Sequence, residues 1–112
     1  QGHRSFRTSL AGFLSPTYGY TVPPEELMLT AGVSHGLDLA CRAFTKPGDV
    51  VLVERNTYFL AFNILKDSHV RIESLESDTQ GLSLEQLKAK VGSLSCVPAL
   101  LYICPTHANP TG

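Results

Sequence analysis

Residues 32–36 read Gly32, Val33, Ser34, His35, Gly36, a Gly-x-Ser-x-Gly set between an apolar run, ELMLT, and a helix-like run, GLDLACRAF. Three kinds of behaviour suit this pentapeptide. On a strand–turn–helix it can raise a serine nucleophile to the top of a sheet, given a downstream acid, then a histidine, and an upstream oxyanion loop. Asp49, Asp67 or Asp78 followed by His107 keeps that order, but nothing upstream resembles a Gly-rich oxyanion loop. The same turn can instead cradle a phosphate. A helix N-terminus offers unpaired N–H groups and the positive end of the dipole. Gly32 and Gly36 permit close backbone approach, and Ser34 adds a hydroxyl donor. In the third reading the turn is purely structural, with Ser34 as an N-cap and His35 in solvent. The turn alone favours this third reading, and the dinucleotide pattern Gly-x-Gly-x-x-Gly is absent.

The surrounding elements therefore carry the decision. Residues 5–14 predict a helix with Phe6, Leu10, Phe13 and Leu14 on one face. Ser15, Pro16, Tyr18, Gly19 and Tyr20 mark a loop, and Pro23 to Glu26 a helical turn. Residues 27–29 predict a short apolar strand, and residues 36–44 a helix with Leu37, Ala40, Cys41 and Phe44 on one face. After a turn at Lys46, Pro47, Gly48 and Asp49 comes VVLVE, residues 50–54. It is apolar without alternation, as a strand buried on both faces should be. Residues 58–66 predict a helix, and 69–75 an alternating strand. After a turn at 78–81, a helix is capped by Ser83 and Gln86 and stops near Gly92. Residues 99–104, ALLYIC, predict a last strand that is a candidate exposed edge. Strands alternating with helices imply an α/β fold: three α/β/α layers around a mostly parallel sheet. No internal domain boundary is visible.

The 112 residues suffice for one small domain. Nine basic against ten acidic residues, scattered, give a formal charge of −1. No concentrated positive face for nucleic acid is expected. The longest apolar runs are too short to span a membrane. Cys41, Cys96 and Cys104 lie within apolar runs and read as three buried thiols of an intracellular protein. The spacing of Cys96, Cys104 and His107 matches no common zinc pattern. Opening on Gln1 and closing on Gly112, the chain is expected to be a fragment of something larger.

Four segments in order resemble the class I/II aminotransferases, the pyridoxal-phosphate enzymes of fold type I. They are TAGVSHGLDLACRAFTKPGDVVLVERNTYF, the apolar helix after Tyr58, DTQGLSLEQLKAK, and HANPTG with its characteristic Asn-Pro-Thr-Gly. QGHRSFRTSLAGFL and YGYTVPPEELMLT are similar to the opening of the same domain. The resemblance covers essentially the whole chain, so residues 1–112 are expected to be part of a large, cofactor-binding domain. Within the family the aminoadipate and kynurenine aminotransferases look nearest, beside the aminotransferase-like domain of certain bacterial regulators.

The resemblance implies roles. The turn would hold the phosphate of pyridoxal 5′-phosphate through the Val33 N–H and the Ser34 N–H and hydroxyl. His35 would either line that pocket or lie in solvent. Tyr58 would stack on the pyridine ring, and Asn109 would donate to its phenolic oxygen. Asp38 reads as a first-turn helix acid, Asp49 as a turn residue, and Tyr18 and Tyr20 as loop packing. Lys46, Lys66, Lys88 and Lys90 do not fit the role of the Schiff-base lysine, so the segment alone should not transaminate. The implied parent is an intracellular homodimer, cytoplasmic or mitochondrial, moving an amino group between an amino acid and a 2-oxo acid. The alternatives are a ligand-sensing domain of a transcriptional regulator and, behind it, a Ser34 hydrolase.

Overall fold

The structure, a computed structural model, describes residues 1–78 and 81–107. They gather into two compact units, Gln1–Val33 and Ser34–Gly112.

In the first unit, helix α1 spans Arg4–Tyr18. It runs four residues beyond the expected helix and through Pro16. Proline in the last turn removes only one ladder bond, toward the carbonyl of Gly12, so it bends the expectation more than the helix. Ser15 anchors this end: its hydroxyl donates to Ala11 O at 2.7 Å and accepts the Val22 N–H at 3.0 Å. Gly19 then closes the helix in the left-handed region, at φ 71°, a conformation that favours glycine. A 3₁₀ turn follows at Pro24–Glu26, where the Pro24 carbonyl accepts the Arg7 guanidinium at 2.8 Å. Residues 27–29 form no strand. Leu29 N–H donates to Gln1 O at 3.2 Å, but one such bond is not a ladder, and a strand exists only where a neighbour supplies the ladder. Only Ala11 of α1 is buried, while Phe6 and Phe13 of the expected apolar face are exposed.

The second unit holds the sheet. Helix α2, Val33–Phe44, leads through the Lys46–Asp49 turn into β1, Val50–Glu54. Asp49 is the turn residue expected, since its carboxylate accepts the Lys46 N–H at 2.9 Å. Helix α3, Phe59–Asp67, and strand β2, Arg71–Leu75, follow. β2 starts two residues late because His69 turns the chain at φ 55°, donating its N–H to Lys66 O. A short antiparallel pair, β3 (Ser77–Asp78) and β4 (Gly81–Leu82), was not expected. Helix α4, Leu84–Ser93, has Ser83 as its N-cap, whose hydroxyl accepts the Gln86 N–H at 3.3 Å. The last strand, β5, is Leu100–Tyr102.

β1 pairs in parallel with β2 on one side and β5 on the other, in the order β2-β1-β5. All five residues of β1 are buried, as its unalternating sequence predicts. One face of β1 packs Val51 and Val53 against Cys41 and Leu37 of α2 and Leu65 and Phe62 of α3. The other packs Val50 and Leu52 with Leu75 against Leu82, Leu87 and Leu94. The three α/β/α layers are therefore present. β5 is an edge, with Leu101 partly exposed. Cys41 is fully buried, but Cys96 is exposed, because the α4–β5 connection runs over the surface rather than continuing the strand.

The α4 face also carries a charge contact. Lys90 Nζ lies 2.7 Å from Glu73 on β2, with Arg71 Nε at 3.6 Å. The Lys90 hydrogen bond and charge hold the Glu73 carboxyl below its ordinary value. A depressed folded-state value contributes stability above the unfolded value and loses it as pH falls through the folded one. Lys90→Met is therefore expected to flatten the acid limb of the stability curve. Urea midpoints measured between about pH 5 and pH 3, where carboxylates titrate, should fall more for the wild type than for the variant. Parallel curves would show that the pair carries no such linkage. The effect is small, since both groups are partly exposed.

Candidate cofactor site at the carboxyl edge of the sheet

In a parallel sheet all carboxyl ends lie on one edge. β1 is followed by α3 to its neighbour β2, and the chain later returns to β1's other side as β5. The helices of these two crossovers, α3 and α4, cover opposite faces. Such a reversal makes a switch point, and open α/β sheets bind ligands in the crevice it leaves at the carboxyl ends of the strands. Here that position is the carboxyl end of the neighbouring strands β1 and β5.

Helix α2 enters β1 through a short turn and packs back on it, so the N-terminus of α2 lies at this same edge. The helix starts three residues earlier than expected, which makes Ser34 a residue of the first turn rather than a cap. The N–H groups of Val33 and Ser34 have no intrahelical acceptor. Val33, Ser34 and His35 are exposed. Just ahead, Gly32 adopts φ 85°, a region glycine enters without strain, and its carbonyl accepts the Thr30 hydroxyl at 3.0 Å. The first turn of α2 carries no acid, and Asp38 is engaged further along by Arg42 at 2.9 Å.

Tyr58 is the N-cap of α3, four residues beyond the end of β1. It is half-buried, and its ring meets Phe59 edge-on at 61° rather than stacked. Beside it, the hydroxyl of Thr57 is buried with no hydrogen-bond partner among the described residues. Tyr102, at the end of β5, has its phenol pushed up by burial, and the nearby Cys104, Tyr58 and Glu54 act in the same direction. It therefore stays a protonated donor through neutral pH. Glu54, given no role from sequence, is buried at the end of β1 and accepts the Cys104 N–H at 2.7 Å. Its signal was an acid ending an otherwise apolar strand, which only the tertiary structure reveals as buried.

Other candidates lie elsewhere. Asn109 is outside the described residues. Tyr18 and Tyr20 stack on each other at 6.2 Å but stay exposed, so they are not packed loop residues. Asp49 precedes β1, and Asp67, at the end of α3, shares a shallow cleft with Arg42 of α2 and with Thr45 just past that helix. Both belong to the amino edge, roughly one strand length (about 16 Å) from the turn that carries Ser34. Neither can complete a catalytic triad with it. Among the described residues no cluster of histidine, cysteine and acid could hold a metal, and no helix is long and apolar enough to cross a membrane.

A family profile described as aminotransferase class I and II matches residues 1–112. Aromatic-amino-acid aminotransferase 1 of Thermococcus litoralis is 29% identical over all of this chain, which spans 28% of that protein. An archaeal alanine:glyoxylate aminotransferase superposes on 99% of the chain with a TM-score of 0.92 and 32% identity, again over 28% of its length. LysN of Thermus thermophilus, an α-aminoadipate aminotransferase complexed with N-(5′-phosphopyridoxyl)-L-leucine, superposes on 99% with a TM-score of 0.81 and 28% identity, over 26% of its length.

Proposed function

The chain belongs to the class I and II aminotransferases, and from that premise we propose that it forms the phosphate cradle and one ring-stacking face of a pyridoxal 5′-phosphate enzyme. The enzyme moves an amino group between an amino acid and a 2-oxo acid. The observation that carries this reading is the convergence on one sheet edge of the exposed first turn of α2 and the half-buried Tyr58. A buried orphan hydroxyl, Thr57 Oγ1, lies next to Tyr58. A phosphate monoester with an aromatic ring suits such a donor set: N–H groups and a hydroxyl for the dianion, a phenyl face for the ring.

Each residue then has a physical task. The Val33 and Ser34 N–H groups and the Ser34 hydroxyl bind the phosphate, helped by the helix dipole. Tyr58 covers one ring face, fixing its plane and excluding water from that side. Tyr102 offers a protonated hydroxyl at the same sheet edge. Asn109 donates to the ring's phenolic oxygen. When bound, the cofactor supplies the electron sink that lets the substrate's α-carbon lose a proton. The lysine that carries that proton is not among Lys46, Lys66, Lys88 and Lys90. Lys46 lies in the turn before β1, Lys66 is in the last turn of α3, and Lys90 is paired with Glu73 on the α4 face. The lysine and the arginine for the substrate carboxylate come from outside residues 1–112. The active protein is a homodimer inside the cell, a placement that rests on this reading alone.

The test is spectroscopic. The protein that carries this chain, loaded with pyridoxal phosphate, should change its visible absorption when given an amino acid. The original band should return on addition of a 2-oxo acid. No change with any member of a broad amino-acid panel would overturn the reading. Amino-acid binding without formation of a 2-oxo product would point to the ligand-sensing alternative.

A further inference from the structure

Strand β1 ends in a residue its neighbours do not predict. Val50 through Val53 are apolar and buried, and Glu54 is buried with them at 6% exposure. A carboxylate leaves water at a large cost unless its oxygens are occupied. Among the described residues no cation pairs with it: Arg55, next in sequence, pairs with Glu76 instead. Two donors take its place. Cys104 N–H lies 2.7 Å from Oε2, and the Ser77 hydroxyl donates to Oε1 at 3.4 Å.

These two donors stand on opposite sides of β1. Cys104 follows β5, and Ser77 follows β2. The ladder between β1 and β5 ends at the Val53–Tyr102 pair. Cys104 N–H lies beyond it and meets the Glu54 carboxylate in place of a strand carbonyl. The Glu54 side chain therefore does what the next ladder rung would have done, with a charge-assisted bond stronger than a neutral one. Cys104 in turn directs its thiol to the carbonyls of Thr106, at 3.6 Å, and His107, at 4.0 Å. His107 sits at φ 51°, so the chain turns sharply there.

We infer that Glu54 is a positioning residue: its carboxylate fixes the segment 104–107 against the end of β1 and so sets the register of the chain that leads, in sequence, to Asn109. Its bearing on the cofactor rests on the function proposed above; its bearing on the backbone does not.

Two measurements separate these on the protein that carries this chain. In Glu54→Ala the Cys104 amide loses its acceptor, and its hydrogen exchange is expected to rise about tenfold or more, while amides of residues 51–53 keep their wild-type protection. The dissociation constant for pyridoxal phosphate, from absorbance titration, should rise about tenfold. Glu54→Gln keeps an acceptor oxygen and should restore both values to within about threefold of wild type. Should the alanine variant fail to fold, Glu54→Asp, one methylene short of the bond, gives the same reading. Unchanged exchange at Cys104, an equal rise along all of β1, or failure of Gln to rescue would overturn the inference. So would faster exchange with an unaltered dissociation constant, as regards the cofactor. A wild-type protein that binds no pyridoxal phosphate would instead sink the proposed function, and the exchange data would still decide whether Glu54 holds residues 104–107.

Discussion

Ser34→Asp is expected to weaken pyridoxal-phosphate binding by about a hundredfold or more while leaving the protein as stable as before, or slightly more so. The two effects have opposite signs for one reason. Ser34 lies in the exposed first turn of α2, a turn without an acid of its own. A carboxylate there complements the helix dipole and gains roughly 0.3–1 kcal/mol of stability. In the proposed site the same carboxylate would face the phosphate dianion. At an effective dielectric near 20, each pair of like unit charges at about 4 Å repels by roughly 4 kcal/mol. The serine hydroxyl donor is lost as well. Ser34→Ala removes only that donor and should weaken binding far less, by about five- to tenfold. Thermal melts of the apo form and absorbance titrations with pyridoxal phosphate check both halves. Unchanged affinity in Ser34→Asp would show that the phosphate lies elsewhere.

The second large effect concerns stability. Leu65→Ala is expected to destabilise the protein by about 2–5 kcal/mol. Leu65 is fully buried on α3 and packs with Cys41, Val51 and Val53, so three elements meet on one side chain. Truncation removes its burial and leaves a cavity that β-branched neighbours, stiff about χ1, close poorly. Against a total of roughly 5–15 kcal/mol this is a large fraction. Phe59→Ala, at an exposed site on the same helix, should change stability by no more than about 0.5 kcal/mol. Chemical denaturation of both variants tests the contrast. A loss below about 1 kcal/mol for Leu65→Ala would mean that α3 is not held by this core.

The parts of the fold that were legible have local signals. Gly32 and Ser34 before an amphipathic run mark a turn into a helix, although the helix begins three residues sooner than the apolar spacing gives. The run 50–54 lacks alternation because both faces of β1 are covered, and that is a property of composition alone. Ser83 caps α4 as expected, its hydroxyl accepting the Gln86 N–H three residues on. The family resemblance of 1–112, carried by motifs in fixed order, is matched by the profile over the same residues.

What failed depended on partners far away in the chain. Residues 27–29 have strand composition but no ladder partner among the described residues, and backbone pairing is supplied by another segment, never by the strand itself. Cys96 is as apolar in type as Cys41, yet only Cys41 has a helix-to-sheet interface to enter. Phe6 and Phe13 recur at helical spacing, but periodicity says which residues share a face, not whether anything covers it. Glu54 is the sharpest case. Its sequence context says strand, and its charge says surface. Only the return of β5 to the free side of β1 brings Cys104 N–H to its carboxylate and makes burial tolerable. By itself, then, the sequence determined the α/β alternation, the central strand and the family, because those rest on short-range pattern. The tertiary structure alone decided which edge gathers Ser34, Tyr58, Tyr102 and Glu54, because strand order and crossover side are set by long-range pairing that no local spacing encodes.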